Sequence, residues 1–215
     1  MRVADSGRYV LFGVKGWGSA LAEALLELCR APYELVEVDG FDTPSAARDR
    51  LLAYNPLAQV PTLVLPDGVV MRESAAIALL LSELHPESGL APPPGAAERP
   101  FFLRWLVWIV ANVYPTFTFA DYPERWVRSE REDFAQAVGG YRRKLWQQLE
   151  AELGEGPWAL GERFSALDVY LGVMTHWRPR RAWFAQNCPR IHAIAESADA
   201  HSVLGPVLTR NFGED

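Results

Sequence analysis

Tyr9-Val10-Leu11-Phe12 is an unbroken apolar, β-prone run stopped by Gly13, the pattern of a buried strand. Past a glycine-punctuated loop, Lys15-Gly16-Trp17-Gly18, the period changes. Leu21, Ala24, Leu25 and Leu28 recur at i, i+3, i+4 and i+7, with Glu23, Glu27 and Arg30 on the other face, which predicts a helix. Tyr33 to Val38 alternates as a second strand. Pro44 to Tyr54 reads as a helix closed by Asn55-Pro56, because proline disfavours helical geometry in the residue before it. Thr62 to Leu65 and Val69 to Met71 flank Pro66-Asp67-Gly68, a hairpin with turn chemistry at its tip. Ile77, Leu80, Leu81 and Leu84 trace another helical stripe. The order is βαβαββα.

The stretch from Glu87 to Ala97, centred on Pro92-Pro93-Pro94-Gly95, holds neither a helix nor a ladder and reads as a linker. Everything after it carries a helical period. Phe102, Trp105, Leu106, Ile109 and Val113 form one stripe, while Phe101 and Trp108 lie elsewhere on the wheel, so this helix is buried on more than one side. Phe134, Val138, Tyr141, Leu145 and Leu149 predict a second long helix. Gly139-Gly140 inside it should weaken or bend it, by about 1 kcal/mol per glycine relative to alanine. At Phe164-Ser165-Ala166-Leu167-Asp168-Val169, Ser165 and Asp168 form a capping box and Phe164 and Val169 a hydrophobic staple. Asp168 reads as a structural cap, with general-acid chemistry the competing reading. The expected architecture is an α/β domain over 7–87, a linker over 88–96 and an all-helical domain over 97–215.

Charge narrows the partners. With 21 Lys+Arg against 27 Asp+Glu, 21 − 27 gives −6, and no basic cluster rises above that background except the short Arg178-Pro179-Arg180-Arg181. Nucleic acid is therefore not an expected partner. No apolar stretch approaches the roughly 18–20 residues needed to cross a bilayer, and Asp5, Arg8 and Lys15 interrupt the start, so neither a membrane span nor a signal peptide is expected. Cys29 and Cys188 stand far apart with no CxxC, which indicates neither a disulfide framework nor a metal site. The expected location is the cytoplasm.

Asn55-Pro56-Leu57-Ala58-Gln59-Val60-Pro61-Thr62-Leu63, followed by Arg72-Glu73-Ser74-Ala75-Ala76-Ile77, resembles the glutathione S-transferase superfamily, in particular its bacterial cytosolic members. The Ser165–Asp168 capping box on a buried helix and the order of elements agree, so the resemblance covers essentially the whole chain. It implies a thioredoxin-like first domain, glutathione as cosubstrate, no metal, and a two-fold homodimer. Val60 would then pair its main chain with the cysteinyl unit of glutathione, and Pro61 would be a cis-proline, the alternative being an ordinary trans residue at a strand start. Ser74 would hold the γ-glutamyl carboxylate at a helix N-terminus, or merely cap that helix, with Glu73 near the ammonium group. Gln59 is the candidate donor to the glycyl end.

The chain departs from the family at the thiol. Gly16 falls where Ser-type members carry their reactive serine, and Gly18 where Cys-type members carry their cysteine. Ser19 remains, as a thiolate-stabilising hydroxyl or as a helix cap, and main-chain donors at Trp17 and Gly18 are candidates to share the task. On the electrophile side the resemblance points to Asn112–Phe119, where Pro115 should break the first long helix. Tyr114 is the candidate hydroxyl near the thiol or leaving group, and Trp108, Phe117 and Phe119 the candidate apolar wall, although such aromatics often belong to the core. The expected activity is transfer of the glutathione thiolate to a small hydrophobic electrophile, in a detoxifying role. A weakly active or non-catalytic glutathione-binding protein is the alternative. A glutathione-dependent isomerase of the zeta class would want a Ser-Ser-Cys-Ser stretch, which this chain lacks.

Overall fold

The computed structural model describes residues 7–213, and the chain divides into two compact units. The first comprises the chain up to Ala91 together with the segment from Ala198 onward; the second is Pro92–Ser197. The helical domain expected over 97–215 thus differs at its end, where the segment from Ala198 onward groups with the first unit.

In the first unit, β1 (Tyr9–Gly13) is buried along its whole length, as its apolar run predicts. It pairs parallel with β2 (Tyr33–Glu37) and antiparallel with β3 (Thr62–Val64), which pairs antiparallel with β4 (Val70–Met71); the sheet order is β2-β1-β3-β4. The crossover from β1 to β2 is α1 (Ser19–Leu28). Between β2 and β3 lies α2 (Ala46–Leu52), capped by Ser45, whose hydroxyl accepts the Arg48 N–H at 3.1 Å. After β4 comes α3 (Ser74–Leu84). Val10, Phe12, Val36, Val38, Phe41 and Leu51 form a core cluster between the sheet and α2.

One expectation about α1 fails. The period places Glu23 on a polar face, yet Glu23 is buried. The C-terminal helix α10 (Leu204–Phe212) packs on α1 and supplies the missing partners. Arg210 Nε donates to Glu23 Oε1 at 2.8 Å, Asn211 Nδ2 to Oε2 at 2.7 Å, and the Tyr33 hydroxyl to Oε1 at 3.3 Å. A buried carboxylate is tolerable only when its lone pairs are satisfied in this way. Burial, with the carboxylates of Glu23 and Glu27 adding to it, holds the Tyr33 phenol well above its usual range.

In the second unit, α4 (Arg99–Trp108) runs through a π-helical turn at Ile109–Val113 into α5 (Tyr114–Asp121). The break expected at Pro115 is therefore not made. Proline lacks an N–H and clashes with the preceding turn, but here it enters in the first turn of α5, after a wider turn that absorbs the mismatch. The predicted stripe of Phe102, Trp105, Leu106, Ile109 and Val113 is buried. The long helix α6 (Arg131–Glu150) continues across Gly139-Gly140, but its buried face is Arg142, Leu145, Trp146 and Leu149, and Tyr141 is 53% exposed.

Next, α7 (Ala166–Met174) is buried at every position, and its capping box is present. Asp168 Oδ2 accepts the Ser165 N–H and Oδ1 the Ala159 N–H, each at 2.7 Å. Burial pushes the Asp168 carboxyl up to about 7, against the pull of these donors. Its bonds are those of a cap. Two shorter helices, α8 (Arg181–Asn187) and α9 (Pro189–Ala200), follow, and Glu150 anchors the start of α9 by accepting the N–H groups of Arg190 at 2.8 Å and Ile191 at 2.9 Å. Among the described residues no helix is long and apolar enough to cross a membrane.

Candidate functional site

The strand register brings three segments to one end of the sheet. Phe12 pairs with Thr62 and Leu63 with Met71. Continued beyond the ladder, the first register sets Val14 level with Val60 and the second sets Val60 level with Ser74. The loop after β1, the segment entering β3 and the start of α3 therefore gather at the carboxyl end of β1.

Gly16 in the first loop has φ +79°, and its N–H donates to Asn211 Oδ1 at 3.1 Å. A Cβ there would meet the Asn211 carbonyl oxygen at 3.4 Å. Glycine suits this position because the backbone turns left-handed against α10. Ser19 is no freer. Its hydroxyl donates to the Val14 carbonyl at 3.0 Å and accepts the Val14 N–H at 2.9 Å, and the residue is 3% exposed. A Cβ on Gly13 would lie 2.6 Å from that of Ser19, so the hydroxyl is packed into the strand end as a staple. The Trp17 N–H is also spent, on the Val14 carbonyl at 3.1 Å, while the Trp17 ring packs edge-on to Phe41 and stays 38% exposed. By contrast, the N–H groups of Gly18 and Ser19 have no partner among the described residues. They open α1, where Gly18 offers no side-chain cap and the helix end is positive.

The second segment is built by a residue that sequence reasoning read only as a helix stop. Asn55 Nδ2 donates to the Gln59 carbonyl and to Thr62 Oγ1, both at 3.0 Å, and Asn55 Oδ1 accepts the Leu57 N–H at 3.1 Å. Thr62 Oγ1 also donates to the Gln59 carbonyl at 2.8 Å. Between these ties the Val60 N–H and C=O remain without partners among the described residues, and the Val60–Pro61 peptide bond is cis. The Gln59 side chain is exposed. Asparagine's habit of bonding its own backbone two residues on could have flagged Asn55.

In the third segment, Glu73 takes φ +64° immediately before α3, a left-handed conformation rare for a side-chain-bearing residue. It makes no cap bond, which leaves the first turn of α3 without a side-chain cap from that position, and Ser74, half-buried, is the first residue of that turn. Strain of this kind is retained where the surroundings demand it, commonly at ligand sites.

The aromatic candidates of the second unit separate. Phe117 is buried, stacked edge-on to Trp177 at 5.2 Å and covered by the Arg142 guanidinium at 4.2 Å, and so belongs to the core. Phe119 packs on Trp126 at 4.6 Å and Trp108 on Trp105 at 4.8 Å. Tyr114, half-buried, sits edge-on to Trp177 at 5.7 Å. Both cysteines are buried, and burial pushes Cys29 up to about 11 and Cys188 up to about 12. Among the described residues no group of three or more metal-ligating side chains occurs.

Residues 22–84 match the model of the glutathione S-transferase N-terminal domain. The chain is 47% identical to an uncharacterised glutathione-transferase-like protein of Escherichia coli K12, YncG, over 94% of this chain and 97% of that one. It is 28% identical to the glutathione S-transferase GstA of Escherichia coli O157:H7, over 78% and 81%. Among solved structures, a sphingomonad glutathione S-transferase in complex with glutathione superposes with a TM-score of 0.77 at 26% identity, over 93% and 97% of the two chains.

Proposed function

Because the chain belongs to the glutathione S-transferase superfamily, we propose that it binds glutathione and adds the thiolate to a small apolar electrophile. The observation that carries this reading is the set of unspent polar groups at one end of the sheet. The Val60 main chain has both a donor and an acceptor to offer an extended peptide running antiparallel to it. The Ser74 hydroxyl and the first N–H groups of α3 suit the γ-glutamyl carboxylate, and the Glu73 carboxylate suits the adjacent ammonium. The exposed Gln59 amide is assigned to the glycyl end. A tripeptide so held directs its sulfur toward the start of α1.

There the Gly18 and Ser19 N–H groups stabilise the thiolate in place of a side chain. Lowering a thiol pKa by about 2 units takes about 2.7 kcal/mol of preferential anion stabilisation, within reach of two amides at a helix end. The thiol proton passes to solvent. The sulfur lone pair then forms the new bond to carbon as the leaving group departs with its electron pair, or as the π pair of an activated double bond shifts onto its activating group and is protonated by solvent. Tyr114 and Trp108, both half-buried, are assigned to the apolar cosubstrate, with Tyr114 as its hydroxyl; Phe119 completes that assignment. A cytoplasmic homodimer is part of the proposal, supported by the apolar exposure of Leu84 and Val107.

A second reading, a glutathione-binding protein with little turnover, draws on the closure of the Ser19 hydroxyl onto Val14 and on the bare Gly16 and Gly18. Calorimetric titration with glutathione, followed by thiol consumption over a panel of electrophiles, separates the two. Binding with consumption supports the transferase; binding without consumption supports the second reading; no binding at millimolar glutathione overturns both. Light scattering that gives only the 24.1 kDa species at micromolar concentration would refute the dimer.

A further inference from the structure

Within the helical unit a cavity of about 630 Å³ opens beside α6. Its floor is one face of that helix: Glu132, Gln136, Gly139, Arg142 and Arg143 recur at helical spacing, and Arg178 stands on the facing wall with Ala120 and Pro179. Arg142 is the unusual member. It is 4% exposed, and its Nε and Nη1 atoms are buried with no hydrogen-bond acceptor among the described residues. One face of the guanidinium is covered by the Phe117 ring, Nε and Nη1 are closed off inside the protein, and Nη2 is the nitrogen that stands beside Gly139. Burial lowers Arg142 to about 10, with Arg178 and Arg143 lowering it further and Asp121 acting the other way. A buried cation is costly, and an anion that accepts from Nη2 offsets part of that cost by countering its charge.

Gly139 adds an independent observation. A Cβ at this position would meet, within 4 Å, only Arg142 Nη2 and Arg143 Nη1, each at 3.9 Å. No packing contact requires glycine here, in the interior of a long helix where it destabilises. Its missing side chain keeps open the space in front of two guanidinium groups.

We propose that this cavity is a binding site for a small organic monocarboxylate, its carboxylate held by Arg142 and Arg143 across Gly139 and its apolar body against Ala120 and Pro179. Arg142 Nη2 and Arg143 Nη1 flank Gly139 and offer one donor nitrogen to each of the two oxygens of a carboxylate. The volume falls in the range of organic-ligand pockets, about 300–1,000 Å³, and greatly exceeds the needs of an inorganic ion. Arg178 is partly engaged by Asp121, 3.7 Å away, and Glu132 also lines the cavity, so the local charge favours a monoanion over a phosphate dianion.

The 215-residue protein is to be titrated calorimetrically with benzoate, benzamide, phenyl phosphate and inorganic phosphate. Benzoate is expected to bind, with benzamide at least tenfold weaker. Gly139→Leu, which fills the space with a better helix former, should abolish benzoate binding while circular dichroism and glutathione binding stay unchanged. Arg142→Met should weaken benzoate at least tenfold, and Arg178→Gln, at an exposed position, a few-fold. If Arg142→Met fails to fold, Gly139→Leu and Arg178→Gln decide the matter. The site is refuted by absence of benzoate binding at millimolar concentration, by equal affinity for benzoate and benzamide, or by unchanged affinity in Gly139→Leu. Tighter binding of phenyl phosphate or inorganic phosphate than of benzoate overturns the monocarboxylate assignment.

Discussion

Asn211 ties the C-terminal helix to the loop that follows the first strand: its Oδ1 accepts the Gly16 N–H at 3.1 Å while its Nδ2 donates to Glu23 at 2.7 Å. One side chain thus fixes the loop that presents the Gly18 and Ser19 amides and also satisfies a buried carboxylate of α1. Asn211→Leu removes both bonds and leaves Glu23 short of a partner. The expected cost in urea unfolding is about 2–4 kcal/mol, the range for orphaning a buried charged acceptor. The pKa of bound glutathione, followed by thiolate absorbance, should rise as the loop loosens.

Ser19→Ala discriminates between a staple and a thiol activator. With the hydroxyl bonded both ways to Val14, the substitution is expected to destabilise the fold by about 1–3 kcal/mol. The titration curve of bound thiol should coincide with that of the wild type at saturating glutathione. A pKa raised by a full unit, with stability unchanged, would return the hydroxyl to the mechanism.

Glu73 and Ser74 should respond alike in the binding assay and differently in the stability assay. Glu73→Gly relieves the left-handed backbone and is expected to stabilise the protein by about 1 kcal/mol, yet to weaken glutathione through loss of the carboxylate. Ser74→Ala should weaken glutathione by about 1.5–3 kcal/mol with little change in melting temperature. Calorimetry and thermal unfolding on the same preparations check both.

Cys29 and Cys188 should be silent in the native protein. Burial raises their pKa to about 11 and about 12, so at pH 8 both are thiols and an aromatic disulfide reagent should label neither until denaturant is added. In the unfolded chain a thiol ionises near ~8.5. The folded state therefore holds protons that the unfolded state releases, and stability should fall as pH rises from about 8.5 toward 11. Paired Cys29→Ala and Cys188→Ala substitutions should flatten that part of the urea-midpoint profile.

What could be read from the chain followed the range of the interactions involved. Runs such as Tyr9–Phe12 and the Ser165–Asp168 box specify their structure within a few residues, and both are found where the pattern put them. Glu23 was assigned to solvent because its partners, Arg210 and Asn211, lie at the far end of the sequence, where periodicity has no reach. The same distance hid the reason for Gly16. Pro115 misled for a different cause: the rule that proline ends a helix omits the π turn, which relocates the missing N–H to a first turn. At α6 the hydrophobic period chose Tyr141 over Arg142, because hydropathy ranks an arginine as a surface residue even where a ring covers it.

The return of the last helix to the first unit has a consequence for biosynthesis. A ribosome releases the sheet and α1 early, but Arg210 and Asn211 are made only after the whole helical unit. Until then Glu23 faces no permanent cation and the loop at Gly16 has no anchor, so the helical unit, continuous in sequence from Pro92 to Ser197, is the one able to fold during translation. Nascent chains stalled short of Arg210 should carry a protease-sensitive amino-terminal half, and a circular permutant that moves residues 198–213 ahead of residue 7 should reverse that order.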